Sequence, residues 1–179
     1  NFIMSKLETN TIDTVSGTTN LTIGSTNTST ITVPSGKMTG QNNPSFYAYK
    51  SSGQTISNNT NTKVTFDTEL FDSDGKFDTG SSRFTPGIAG KYLVTGVVAM
   101  TNHPSSKYVG LYPYKNGLQI YSELDVNGTA GDFDTRCIGT FVVDLDADDY
   151  LEIFLRHNGD ATENTRSGHE VRFMAQRIG

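Results

Sequence analysis

The side chains best suited to chemistry in this chain are carboxylates. Asp72, Asp74 and Asp78 surround Gly75 in an Asp-x-Asp-Gly arrangement, and hard oxygen ligands at alternate positions can converge on one calcium ion. No glutamate stands at the distance where a calcium loop supplies its bidentate ligand, so an ordinary solvated turn is the competing reading of the same residues. A second group, Asp144, Asp146, Asp148 and Asp149, is read as a solvated turn. The histidines, His103, His157 and His169, are far apart and none has a neighbouring Ser or Cys in a nucleophile setting. They are expected at the surface rather than as a metal trio. Cys137 is the single cysteine. It allows no intrachain disulfide and is expected to be a small packed side chain. No G-x-S-x-G nucleophile elbow occurs. The chain is therefore expected not to be an enzyme and to carry no cofactor, calcium at the Asp72 loop aside.

Aromatic residues offer a different chemistry. Tyr108, Tyr112, Tyr114 and Tyr121 cluster in one region, with Asn102, Asn116 and Asn127 in nearby loops. Tyr112 and Tyr114 fall on one face of a strand, and a tyrosine platform with a polar rim can stack on a glycan. The competing reading is core or a seam between subunits.

The elements that must hold these residues are strands. Val64 and Phe66 alternate with Thr65 and Asp67, as a strand with one buried face requires. Asp72 to Asp78 has turn chemistry. The apolar run Tyr92 to Met100 is too short to cross a bilayer, and its Val and Tyr content predicts a central strand buried on both faces. Tyr108 to Lys115 and Leu118 to Leu124 flank Asn116-Gly117, the pair that best supplies two consecutive positive φ angles in a tight hairpin. Phe141, Val143 and Leu145 share one face, Leu151, Ile153, Phe154 and Leu155 put at least part of their strand under cover on both sides, and Val171, Phe173 and Ala175 alternate with Arg172, Met174 and Gln176. No window has a helical period, so the chain is read as all-β.

The order of these segments resembles the globular head of complement component 1, q subcomponent, and its tumour-necrosis-factor-like relatives. The family's V-x-F-D strand, aromatic-Asp pair, F-T and G-x-Y are matched by Val64, Phe66 and Asp67, by Phe77 and Asp78, by Phe84 and Thr85, and by Gly90 and Tyr92. Lys115-Asn116-Gly117 matches the family hairpin, and Leu145 to Ile153 its late strand, turn and strand. The resemblance covers roughly residues 44 to 179. It departs at the end, where Ser167-Gly168-His169-Glu170 replaces the usual aromatic-Ser-Gly. It implies a ten-stranded jelly-roll sandwich that assembles as a homotrimer about a threefold axis. Matching by family strand puts Phe46, Tyr92 and Phe173 near that axis.

Residues 1 to 43 are of another kind. Asn10 to Ser35 is dominated by Thr, Ser, Asn and Gly, and Leu21-Thr22-Ile23 and Ile31-Thr32-Val33 form two short alternating units. So few apolar residues cannot bury a core in one chain, but several copies wrapped together could bring them to a common axis. This arm resembles the β repeats of bacteriophage fibres; a disordered Thr/Ser-rich linker is the alternative. Pro34 to Pro44 is the expected boundary with the head. The first ten residues have no apolar core like that of a signal peptide. The chain begins with Asn rather than Met, so further sequence is expected before it.

Composition excludes some partners. The chain has 179 residues and a formal net charge of −5, enough for one sandwich and a short appendage. Its Lys and Arg are scattered, whereas nucleic-acid binding needs a basic face. Neither nucleic-acid binding nor membrane insertion is expected. The favoured reading is a trimeric structural or attachment protein at a virion surface, a fibre tip, head fibre or decoration, binding itself, other virion proteins and a host receptor or glycan. A secreted complement-q-like or tumour-necrosis-factor-like ligand is the alternative, with a glycan depolymerase behind it. Asn-x-Ser/Thr sequons at Asn20, Asn27, Asn58 and Asn127 fit either of the first two. A collagen-like stalk would favour secretion, and none is present.

Overall fold

The computed structural model describes residues 43–121, 124–127 and 133–179. The arm expected over residues 1 to 43 lies, but for its last residue, outside the described residues. The described chain holds strands and no helix. In order they are β1 (Ser45–Lys50), β2 (Thr55–Ile56), β3 (Thr62–Lys63), β4 (Thr68–Asp72), β5 (Phe77–Asp78), β6 (Arg83–Phe84), β7 (Gly90–His103), β8 (Tyr108–Lys115), β9 (Leu118–Gln119), β10 (Leu124–Asn127), β11 (Phe133–Leu145), β12 (Leu151–His157), β13 (Glu163–Asn164) and β14 (Gly168–Arg177). There are thus fourteen segments where ten strands were expected. Several of the additional ones are two-residue pieces, produced where the chain bends away from a ladder and returns.

Two antiparallel sheets form the sandwich. One has five strands in the order β11-β7-β14-β1-β4. The other has the order β10-β8-β12-β6-β5, with β3 paired to β12 and β9 to β8. The pair β2 and β13 makes a third, minimal sheet. Inward-pointing Phe46, Ala48, Tyr92, Val94, Val98, Phe173 and Ala175 of the first sheet meet Phe84, Leu111, Leu151, Ile153 and Leu155 of the second in one core. Cys137 is buried in that core, as expected. Gly96 allows the sheets to approach closely, since a Cβ there would sit 3.0 Å from a Leu111 methyl.

The chain changes sheets between β3 and β4. The Val64 amide donates to the Ile153 carbonyl in one sheet, and the Asp67 amide donates to Tyr49 in the other. Val64 and Phe66 are both buried, so the alternation holds although the segment leaves the regular ladder. Phe66, in transit, has no strand on either side for its backbone groups. The Ser82 hydroxyl substitutes, accepting from the Phe66 amide at 2.9 Å and donating to the Phe66 carbonyl at 3.3 Å. A buried peptide group left without such partners is costly.

Other expectations have definite outcomes. β7 is fourteen residues long, longer than Tyr92 to Met100. Its first half alternates exposed and buried, and only Gly96 to Met100 is covered on both faces. The Asn116-Gly117 hairpin is present with φ of 52° and 79°. Its return strand is two pieces, β9 opposite Tyr114 and Lys115, and β10 opposite Tyr108 to Leu111. The register of the last strand is set by Phe173 opposite Gly96 and Ala175 opposite Val94.

Phe46 stacks on Phe77 at 4.6 Å and on Phe84 at 4.7 Å, and meets Phe173 edge-on at 4.9 Å. Truncating it removes a ring shared by both sheets. Phe46→Ala is expected to lower stability by about 3–5 kcal/mol, measured by urea denaturation of the whole chain.

Candidate interaction surface

The outward face of the five-stranded sheet is built from three lateral rows. Strand register places Thr140, Thr95, Met174, Tyr47 and Phe71 in one row. Beside it run Val142, Leu93, Gln176 and Ser45, and on the other side Ile138, Val97, Arg172 and Tyr49. Because alternate residues of a strand point to opposite faces, the positions that would be solvated in a monomer are set by the pattern that builds the core. Here they are largely apolar. Ile138 is 55% exposed, Phe71 49%, Val142 47% and Leu93 36%. Among the polar groups, the Thr95 and Thr140 hydroxyls lie 3.1 Å apart, and Arg136 pairs with Glu170 at 2.8 Å. The Tyr47 hydroxyl meets His169 Nδ1 at 3.0 Å.

On its outward face the other sheet buries a charge at one place, since Leu151, Ile153 and Leu155 of β12 take the inward positions. Glu152 is buried, yet its Oε1 accepts from Lys63 Nζ at 2.5 Å and Arg83 Nε at 2.7 Å. The Arg83 guanidinium lies over the Tyr150 ring at 4.1 Å. Burial works against ionisation of Glu152, but the hydrogen bonds from Lys63 and Arg83 outweigh it and hold the carboxyl below its ordinary range. Asp149 behaves similarly. Burial opposes its charge, while Lys115 at 2.7 Å, the Asp146 amide and the Asn116 side chain prevail. The Asp146 to Asp149 turn is therefore not wholly solvated, because Asp149 fastens it to the Asn116-Gly117 hairpin.

The residues singled out from sequence fare differently. Asp72, Asp74 and Asp78 do not converge, because the loop uses their oxygens itself. Asp72 accepts from the amides of Asp74 and Phe77, Asp74 from the Ser73 hydroxyl, and Asp78 from the Gly80 amide and Ser81 hydroxyl. Phe46, Tyr92 and Phe173 do not line a seam between subunits, since all three are buried inside the single chain. Matching by strand selected positions from the inward face. Tyr112 is also buried, and Tyr114 stacks on Phe154 at 4.0 Å with its hydroxyl accepting from Asn61. Tyr112 is thus closed to a sugar, and one face of the Tyr114 ring is taken by Phe154. Finally, only His169 has the surface setting expected of the histidines, for His103 and His157 are fully buried and meet at Glu163. His103 and His157 end strands of different sheets, so it is the packing of one sheet on the other, recorded in no local motif, that brings them together.

The globular domain of a zebrafish complement 1qA protein matches with a TM-score of 0.57 at 16% identity, over 76% of this chain and 98% of that one. The chain has a complement-1q/tumour-necrosis-factor-like jelly-roll fold. Murine APRIL gives a TM-score of 0.57 at 12% identity, over 76% of this chain and 99% of its own. A structure of Eiger TNF from S. frugiperda gives 0.51 at 12%, over 76% and 92%. In sequence, the phage-like element PBSX protein XkdV of Bacillus subtilis (strain 168) is 31% identical over 110 residues. That match takes in 57% of this chain and 16% of the relative's length. No family model matches the chain. Among the described residues no helix is long and apolar enough to cross a membrane.

Glu152 gives a signed pH dependence. Its folded pKa is depressed, so the stability it contributes is fully present above its ordinary value of 4.5 and is lost as pH falls through the folded value. Glu152→Gln is expected to cost roughly 1.5–3 kcal/mol at pH 7. The gap between variant and wild type should close as denaturation is followed to pH values below 4.5; a gap that stays constant would refute the assignment.

Proposed function

We propose that this chain is the head of a homotrimeric, non-enzymatic virion component, a phage fibre tip, head fibre or decoration. Its jelly roll displays loops for contact with another virion protein or a host receptor. The observation that carries this reading is the apolar outer face of the five-stranded sheet. Leu93, Ile138, Val142 and Phe71 are exposed in one chain. The first three lie on the paired strands β7 and β11, and Met174 and Tyr47 on β14 and β1 continue the face to Phe71 on β4. An apolar patch of that kind marks a surface that is covered in the working molecule. A second copy of the chain is the simplest cover, because closed point-group assembly is the rule for homo-oligomers. The threefold arrangement implied by the family resemblance supplies the symmetry.

Two further findings support the context. The sequence likeness to a phage-like element protein favours a virion particle over a secreted ligand. The described residues spend their conspicuous carboxylates on turns and ion pairs, Asp72, Asp78, Asp149 and Glu152 among them, which fits a role in display and attachment rather than hydrolysis.

Sedimentation velocity on the whole chain at micromolar concentration is expected to show a trimer. The pair Ile138→Lys and Val142→Lys, which alters only exposed positions, is expected to yield monomers with an unchanged far-ultraviolet circular dichroism spectrum. A monomeric wild type, or a trimer indifferent to both lysines, would count against this face.

A further inference from the structure

At the end of the sandwich remote from Gly90, three side chains converge from three strand ends. His103 closes β7, His157 closes β12 and Glu163 opens β13. Both imidazoles are fully buried and the Glu163 side chain is 10% exposed. One ligand atom from each lies within 4.8 Å of the others, and this is the group of that kind among the described residues.

The hydrogen bonds assign the His157 tautomer. Nε2 lies 3.1 Å from the Ile56 carbonyl, which can only accept, so the proton is on Nε2. Nδ1 is then a lone pair, consistent with its accepting from the Gly159 amide at 3.2 Å. That same Nδ1 faces Glu163 Oε1 at 3.4 Å, and Oε1 is buried with no hydrogen-bond partner in the protein. An imidazole lone pair and a carboxylate oxygen in a dry site repel unless a proton or a metal cation stands between them. The other carboxylate oxygen, Oε2, lies 2.6 Å from His103 Nδ1, while His103 Nε2 is buried and unpartnered. The Ile56 contact is also what a metal-binding histidine needs from its second nitrogen, a carbonyl that fixes ring and tautomer. Gly159 has a definite part, because a Cβ there would lie 1.7 Å from Glu163 Oε1. A bare backbone is what admits the carboxylate.

We propose that His103, His157 and Glu163 form a zinc-class metal site within each protomer. Two neutral imidazole nitrogens and one carboxylate oxygen suit zinc and its first-row neighbours, whereas calcium and magnesium favour oxygen alone. The ion would take the place of the short His103–Glu163 contact, with the donors at bonding distances of about 2.0–2.2 Å, and the Gly159 amide gives up Nδ1 to the ion. The ion then ties the ends of β7, β12 and β13 together. The site is complete inside one chain, so it stands or falls apart from the assembly reading.

The whole chain, stripped with dipicolinate and titrated with zinc chloride by calorimetry at neutral pH, is expected to bind one ion per chain with a raised thermal midpoint. Glu163→Gln keeps the side-chain shape and is expected to weaken binding at least about tenfold, whereas His169→Ala leaves it unchanged. Circular dichroism of the stripped variants checks that each is folded. A variant-free readout is cobalt(II), expected to give visible absorption that one equivalent of zinc abolishes. Absence of saturable zinc binding, equal affinity in folded Glu163→Gln, or no zinc-displaceable cobalt band would each overturn the proposal.

Discussion

The structure depends on one shared aromatic cluster. Phe46 and Phe173 enter it from the five-stranded sheet, Phe77 and Phe84 from the other, and Phe46 touches all three partners within 5 Å. Phe77 and Phe84 sit on two-residue strands, too short to hold position through backbone pairing alone. Their rings fix the long loop between β4 and β7, and they do so because the chain has already crossed between sheets at Phe66. Apolar burial supplies the driving force here and the Ser82 hydroxyl removes the polar penalty of the crossing.

With the core fixed, period-two alternation dictates what remains outside. On the five-stranded sheet that residue set is mostly apolar, with Leu93, Ile138, Val142 and Phe71 exposed, and on the other sheet it holds Glu152 between Lys63 and Arg83. The two faces therefore call for different surroundings. A buried carboxylate with two cations is already satisfied within the chain, whereas Leu93, Ile138 and Val142 have no equivalent compensation. The proposed assembly rests on this asymmetry.

Much of the fold was legible because its signals are local. The alternation around Phe66, the Asn116-Gly117 turn and the apolar run in β7 each occupy fewer than about fifteen residues, within reach of pattern reading. Family order identified the jelly roll. It did not identify which face of each strand points outward at a subunit seam, and so Phe46, Tyr92 and Phe173 were assigned to an axis when they belong to the core. The histidine pair was illegible for another reason. His103, His157 and Glu163 lie on strands of three different sheets, and only the packing of those sheets unites them; His103 before Pro104 reads locally as a loop residue. One signal was available in retrospect. His157 and Glu163 flank Gly159 in a short loop, a spacing that lets a carboxylate fold back onto an imidazole.

The ends of the sandwich are not equivalent. The Arg177 amide donates to the Pro44 carbonyl at 3.0 Å, and Lys91 exchanges backbone hydrogen bonds with Ile178 and Gly179. The jelly roll is thus entered and left at one pole, while β7 runs the length of the sheet to His103 at the other. Few residues would be needed to join Gly179 to Asn43, so the head is suited to circular permutation, with new termini opened in an exposed turn. Cargo fused beside Pro44 or Gly179 would emerge from that shared pole and leave the opposite one clear, which makes the domain a natural carrier for displayed peptides.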